Sequence, residues 1–257
     1  MLLTIDCGNT NTVFAVFADG SKRGVWRLST DVHRTADEYA VWLTQLMSLA
    51  DIAPGDISDA VVASVVPDAI FPLKTLIRTY FEVEPLIVGE PGVELGIEIR
   101  IDRPEQLGAD RLANAVAAQV HYPGDLIVVD FGTATTFDVI DGDGNYAGSV
   151  IAPGINLSMD ALYMASAQLP RVAIARPTRV IGGATVPAIQ SGVFWGYVAM
   201  IEGLVARIRK EYGKPMRVVA TGGLAPLFAE MTASIETIDL DLTMRGLVEI
   251  HRRNAGR

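Results

Sequence analysis

The chain has one cysteine, three histidines and few aromatic residues (7%) among 257 positions. Cys7 alone cannot close an internal disulfide and fits a reducing cytosol, so a cytoplasmic protein is expected. His33, His121 and His251 lack the spacing of metal ligands. No run of about 18 uncharged apolar residues is read in the sequence, so no membrane span is expected. The opening "MLLTID" has an acid at position 6 and neither a basic flank nor a small-residue cleavage site, so it does not read as a signal peptide.

Positive charge is scarce too. Lys and Arg number 21 against 30 Asp and Glu, a net charge of −9. The one dense basic cluster, "HRRNAGR" (251–257), reads as the complement of a helix dipole. Nucleic-acid binding needs clustered cations to displace counterions, and none is expected here. An anionic ligand such as a nucleotide must then be held by backbone N–H groups, a metal and a few local cations.

What the chain does have is 50% hydrophobic and 20% charged residues, a globular composition. Its length suits one large domain or two of about 130 residues. It also says one thing twice. "DCGNT" (6–10) closes the strand "LLTID", and "DFGTA" (130–134) closes "LIVVD". At an offset of 124 Asp6 meets Asp130, Gly8 meets Gly132, Thr12 meets Thr136, Asp19 meets Asp143 and Gly20 meets Gly144. An offset near half the chain predicts two copies of one fold, placed at 1–117 and 118–257.

Each half reads as three strands followed by alternating helix and strand, which gives α/β architecture with a mixed sheet, twice. The first half has strands near 1–7, 12–18 and 24–29, then a helix from Ala36 with a Thr35/Glu38 capping box. Tyr39, Leu43, Leu46 and Leu49 are expected on its buried face. A strand over 60–66, a Pro-initiated helix from Pro67 and a strand at "EPLIVG" follow. "ADRLANAVAAQV" (109–120) is a helix by alanine content. The second half has strands at 126–130, 135–141 and 146–151, a helix from about Val186 to Tyr212, strand "RVVAT", a helix near 224–232, strand "IETI" and a terminal helix.

A strand ending in Asp, then Gly and hydroxyl residues, then a returning strand makes a hairpin whose tip is nearly all backbone. Gly8 and Gly132 let a phosphate approach main-chain N–H groups. Thr10, Thr12, Thr133 and Thr135 can donate hydroxyl hydrogen bonds. Asp6 can hold a hydrated Mg²⁺. Two such hairpins facing each other would grip a triphosphate. In "GADR" (108–111), Asp110 falls in a helix's first turn, where it either caps the helix or serves as the base that phosphorylation of an alcohol requires.

The hairpin pair resembles the two phosphate loops of the acetate kinase–sugar kinase–Hsp70–actin superfamily, and "TGGLAP" (221–226) resembles its adenosine loop. "DCGNTNT", "RTADEY", "LGADRLANAVAA", "VVDFGTATTFDV", "GSVIAPGINLS" and "AIQSGVFWGY" together resemble type III pantothenate kinases across nearly the whole chain. The resemblance implies a duplicated actin-like, ribonuclease H-like ATPase fold and ATP-dependent conversion of pantothenate to 4′-phosphopantothenate, the entry to coenzyme A. It implies Asp110 as base and Gly108, Ala109, Asp110 and Arg111 in the pantothenate site. Asp6, Cys7, Gly8, Asn9, Thr10, Asn11, Thr12 and Val13 form the first ATP loop, and Thr133 touches ATP. Asp130 corresponds to the ligand of a monovalent cation, K⁺ or NH₄⁺. Thr185 corresponds to a threonine that reaches substrate across a homodimer interface.

Small residues on one stripe, Ala188, Gly192, Gly196 and Ala199, let another helix approach closely, either inside the chain or in a dimer. Ile101 and Ala184 depart from the family's usual Tyr and Asn. "DGDGNY" (141–146) fails as an EF-hand, with Tyr146 in place of Gly and Ala152 in place of Glu. Another small-molecule kinase, or a non-catalytic transcriptional accessory protein, are the rival readings. The first needs a different substrate motif, and the second should lose a loop acid or the base.

Overall fold

A computed structural model describes residues 1–166 and 169–256. Arg257, the last of the basic C-terminal cluster, lies outside the described residues. The chain forms two compact units, Met1–His121 with Asp241–Arg257, and Tyr122–Leu240. A division at 117/118 is thus displaced by a few residues, and the C-terminal helix returns to the first unit instead of staying with the second.

The first unit carries strands β1 (Leu2–Cys7), β2 (Asn11–Ala18), β3 (Ser21–Ser29), β4 (Asp59–Ser64) and β5 (Pro85–Ile87), in the sheet order β3-β2-β1-β4-β5. β1 runs antiparallel to β2 and parallel to β4. Strand alternation gives this sheet two faces. Leu3, Ile5, Cys7, Phe14 and Val16 pack against α1 (Ala36–Ser48) and α2 (Pro67–Tyr80). On the other face Thr4 meets Met244 of α7 (Leu242–Asn254), and α7 packs along β1, β4 and α3 (Ala109–His121).

α1 starts where its capping box predicts. Glu38 N–H donates to Thr35 Oγ1 at 3.3 Å, and Thr35 N–H donates to the Glu38 carboxylate at 2.8 Å. The Thr35 N–H, and then the Thr35 hydroxyl donating to the same carboxylate at 3.0 Å, lower the Glu38 pKa. The buried stripe is Ala36, Tyr39, Ala40, Leu43 and Met47. Leu49 is exposed, because it follows the last helical turn.

The second unit repeats the plan. β6 (Leu126–Phe131), β7 (Ala134–Ile140), β8 (Tyr146–Pro153), β9 (Arg217–Gly222) and β10 (Thr237–Ile238) lie in the order β10-β9-β6-β7-β8. In chain order within each unit this is one topology with the same strand directions. Ile127, Val129 and Phe131 face a core built with α5 (Thr185–Tyr212) and α6 (Ala225–Ala229). α4 (Ile155–Ala165) was not anticipated from sequence; it buries only Ile155 and has no side-chain cap, so neither cue for a helix is present.

β1 and β6 are displaced by 124 positions, but the second hairpin is one residue shorter. Cys7 pairs with Thr12, whereas Phe131 pairs with Thr135. Thr12 therefore answers to Thr135, not Thr136, and Phe14 answers to Phe137, both of them fully buried.

α5 is long and apolar enough to cross a membrane by length and composition alone. Its uncharged stretch includes Gln190 and Ser191, so it does not read as one apolar run. Phe194, Tyr197, Val198, Ile201 and Val205 of this helix are buried in the unit's core.

Candidate functional site

In the first unit the β1–β2 hairpin closes on Gly8, whose N–H donates to Asn11 O at 3.0 Å. A Cβ at Gly8 would lie 3.3 Å from that same oxygen, so the tip is nearly bare backbone. Asn9, Thr10 and Asn11 are exposed, and Val13 is half-buried. Cys7 and Thr12 point the other way, into the α1–α2 core, and both are fully buried.

The Thr12 hydroxyl sits 2.9 Å from Thr30 Oγ1 and 3.4 Å from Cys7 Sγ. Thr30 donates its hydroxyl hydrogen to Gly8 O at 2.7 Å, and its N–H donates to Thr10 O at 3.0 Å. Since a carbonyl only accepts, Thr12 is the donor in its bond to Thr30. Thr30 thus braces the loop from the end of β3. Sequence reading missed it, because a threonine 20 residues downstream carries no local signal of that contact.

Asp6 lies two residues beyond Thr4 on β1, so it shares the sheet face occupied by α3 and α7. Asp110 lies in the first turn of α3, half-buried, and its Oδ1 accepts the Arg111 N–H at 2.7 Å. The N-terminal end of a helix favours a negative group there. Gly108 explains itself: a Cβ would sit 2.6 Å from Asp110 Oδ1 and 3.1 Å from Val65 Cγ1. Val65, just past β4, donates its N–H to Cys7 O at 3.0 Å. The carboxyl ends of β1 and β4 and the start of α3 therefore meet, and they bring the Asp6–Val13 hairpin together with Gly108, Ala109, Asp110 and Arg111. In open α/β sheets this end of the strands is where ligands bind.

In the second unit Asp130 is the penultimate residue of β6, in register with Thr136 on one side and Thr221 on the other. Its carboxylate packs against Gly222, where a Cβ would fall 2.6 Å from Oδ1 and where φ is +88°. Only glycine suits that position on both counts. Gly132 N–H donates to Ala134 O at 3.0 Å, and Gly154 N–H donates to Thr133 O at 3.1 Å. A Cβ on Gly154 would lie 2.1 Å from Thr133 O, so the start of α4 closes directly on the second hairpin. Thr135 is buried, and the Thr136 hydroxyl is buried without a hydrogen-bond partner. Asp130, Thr133, Gly154 and the Gly222–Gly223 turn are thus gathered at one end of this sheet. Thr185 occupies the exposed first turn of α5, with Ala184 before it as N-cap.

Among the described residues no group of three or more His, Cys, Asp or Glu side chains is placed to hold a metal ion. Oxygen donors are present instead: single carboxylates at Asp6 and Asp130, and next to Asp130 the hydroxyls of Thr136 and Thr221. Such sites suit hard cations that keep water or phosphate in their coordination shell.

The model of the type III pantothenate kinase family matches residues 2–207. A type III pantothenate kinase from Paramagnetospirillum magneticum (strain ATCC 700264 / AMB-1) is 65% identical over 255 residues, which cover 99% of this chain and 98% of that one. Among solved structures, one described as a 2-dehydro-3-deoxygalactonokinase from Sinorhizobium meliloti has a TM-score of 0.66 at 13% identity, covering 100% of this chain and 98% of that one. Another, described as a Baf family transcriptional activator from Campylobacter jejuni, has a TM-score of 0.61 at 21% identity, covering 99% of this chain and 100% of that one. At those identities the likeness shows the fold alone, the duplicated actin-like and sugar-kinase architecture with two mixed five-stranded sheets.

Proposed function

This chain belongs to the type III pantothenate kinase family, and we propose from that membership that Asp110 is the base in its phosphorylation of pantothenate by ATP. The enzyme is a pantothenate kinase, and its product, 4′-phosphopantothenate, enters coenzyme A synthesis. The observation that carries the assignment of Asp110 is a shared sheet end. Gly108 lies against Val65, Val65 is hydrogen-bonded to Cys7, and Cys7 opens the hairpin that follows Asp6.

In the reaction the primary hydroxyl oxygen of pantothenate attacks the γ-phosphorus of ATP. The bond from that phosphorus to the β–γ bridging oxygen breaks, ADP leaves, and the hydroxyl proton passes to Asp110 and then to solvent. A carboxylate suffices as base because the transition state is loose and the proton departs late. Backbone N–H groups at the tip of the first hairpin, with the Thr10 hydroxyl, bind phosphate oxygens; in the second unit Thr133 offers its hydroxyl to ATP. The buried hydroxyl of Thr12 acts instead through Thr30, holding the first loop in shape. Arg111 binds a carboxylate or phosphate by charge-assisted bonds.

Asp6 would hold Mg²⁺, which would supply charge neutralisation on the phosphates. Asp130, with Thr136 and Thr221 beside it, would hold K⁺ or NH₄⁺. The partnerless buried hydroxyl of Thr136 supports this assignment, since it is an oxygen donor without another use.

The enzyme acts as a homodimer in this reading. Ala188, Gly192, Gly196 and Ala199 of α5 are exposed within the chain, and a Cβ at Gly192 or Gly196 meets nothing within 4 Å. Leu157, Leu162, Met164, Val180, Ile181 and Val186 of the same unit are exposed as well. A second copy seated on this surface covers them and brings its Thr185 to the substrate.

ATP turnover measured with and without pantothenate, in K⁺ and again in Na⁺, tests the whole reading. Turnover should require pantothenate and run faster in K⁺. Equal rates in the two salts remove the cation assignment, and pantothenate-independent turnover removes the substrate.

A further inference from the structure

The last turn of α7 makes contacts that the chemistry above does not use. Asn254 forms a reciprocal pair with Glu94: Glu94 N–H donates to Asn254 Oδ1 at 2.9 Å, and Asn254 Nδ2 donates to Glu94 O at 2.9 Å. Arg253 donates to Leu95 O, and its other terminal nitrogen donates to Gln119 Oε1 of α3 at 2.8 Å. Gln119 Nε2 in turn donates to Gly96 O at 3.3 Å. Three consecutive residues of a connecting segment thus have their backbone bonded by side chains from two helices, where a sheet would have used a strand.

The fit is built on both sides. Gly96 has φ +66°, and a Cβ there would lie 2.4 Å from the Arg253 guanidinium, so glycine admits the arginine. From behind, Glu249 accepts from Arg253 Nε at 2.7 Å with 9% of its side chain exposed. α7 is itself seated on α3. Thr243 donates to Asn114 Oδ1 at 2.7 Å, and Gly246 lies so close to Ala113 that a Cβ would fall 1.9 Å from its carbonyl oxygen.

The segment held this way belongs to the connection 88–108 between β5 and α3, whose regular pieces are an isolated β-bridge at Ile99 and a 3₁₀ turn at Pro104–Gln106. Structureless connections longer than about 12–15 residues are uncommon in compact domains and are usually functional. This one runs from the clamp at Glu94–Gly96 straight into Gly108–Arg111. We propose that Arg253 and Asn254 are positioning residues for the pantothenate site. By fixing the upstream end of the connection to α3, they deliver residues 97–107 as a formed wall beside Asp110. The inference rests on the reading that Gly108–Arg111 bind pantothenate.

Arg253→Gln and Asn254→Ala, with Arg253→Lys as the conservative variant, test it. Each loses charge-assisted or paired hydrogen bonds to one segment, so its opening should rise about tenfold. The KM for pantothenate should rise by a similar factor while the KM for ATP stays within about twofold. Trypsin, which reads the segment without any substrate, should cut after Arg100 about tenfold faster in the two disruptive variants. Arg253→Lys should recover part of both effects.

The proposal is overturned if the two KM values move together, if the KM for pantothenate does not move, or if trypsin cutting at Arg100 is unchanged in Asn254→Ala, the milder variant. Should the unsubstituted enzyme show no pantothenate-dependent turnover, the functional reading fails instead, and the trypsin comparison still decides whether the clamp holds the segment.

Discussion

Asp110 and Gly108 illustrate what single residues contribute and how much of that was readable beforehand. The "GADR" motif marked both, but only the structure explains the glycine, since a Cβ there would displace the Asp110 carboxylate and crowd Val65. Asp110→Asn keeps shape and removes the proton acceptor. Its kcat should fall by about 10²–10⁴-fold, the usual worth of a general base, with the melting temperature unchanged. Full activity in that variant would clear Asp110 of the role. Thr30 was not readable at all, because its contacts to Gly8, Thr10 and Thr12 join positions apart in sequence. Thr30→Val removes the hydroxyl at nearly constant volume and should raise the KM for ATP several-fold, about the effect of one lost hydrogen bond to a loop. Steady-state kinetics with ATP varied at saturating pantothenate measures it.

Whole elements were legible where their signals were local. The capping box set the start of α1, and alanine content set α3. α4 was missed, and the assignment of α7 to the first unit had no local signal, since amphipathicity shows that a helix packs but not against which sheet. Two features of α7 now have physical weight. Gly246 permits backbone contact with α3, so Gly246→Ala pits a helix-propensity gain of about 1 kcal/mol against a 1.9 Å clash with a carbonyl. The clash wins, and the variant should be destabilised by about 2 kcal/mol, read as a lower urea midpoint.

Glu249 supplies a pH signature in the same helix. Hydrogen bonds from Arg252 and then Arg253 lower its pKa from 4.5 to about 2. A depressed carboxyl pKa stabilises the fold at pH above 4.5, and that stabilisation is lost as pH falls through about 2. With allowance for the water around exposed Arg252, the effect is worth about 2 kcal/mol. Glu249→Gln should therefore be less stable than the parent at pH 6, and the gap should narrow steadily between pH 4.5 and pH 2. A gap that stays constant over that range contradicts the ion-pair origin.

At the scale of the molecule the duplication was legible because it is written in strand ends, Asp-x-Gly twice, and the shared strand order bears it out. The one-residue deletion in the second hairpin was not, since a deletion inside a loop leaves the flanking residues alike and only strand register exposes it. The α5 stripe was read as either an internal or an external contact. Its exposure within the chain supports the external one, the second copy proposed above. If that copy's Thr185 completes each site, Asp110→Asn and Thr185→Val carry their defects on different subunits' contributions to one site. A mixed dimer of the two variants then has one site with both defects and one with neither. Unfolding and refolding the two impaired proteins together in equal amounts should pair half the chains as mixed dimers. About a quarter of all sites should then be intact, so activity should recover to about a quarter of the parent's. If each site is built wholly within one chain, the mixture stays as inactive as its components, and size-exclusion chromatography of both variants separates that outcome from failure to dimerise.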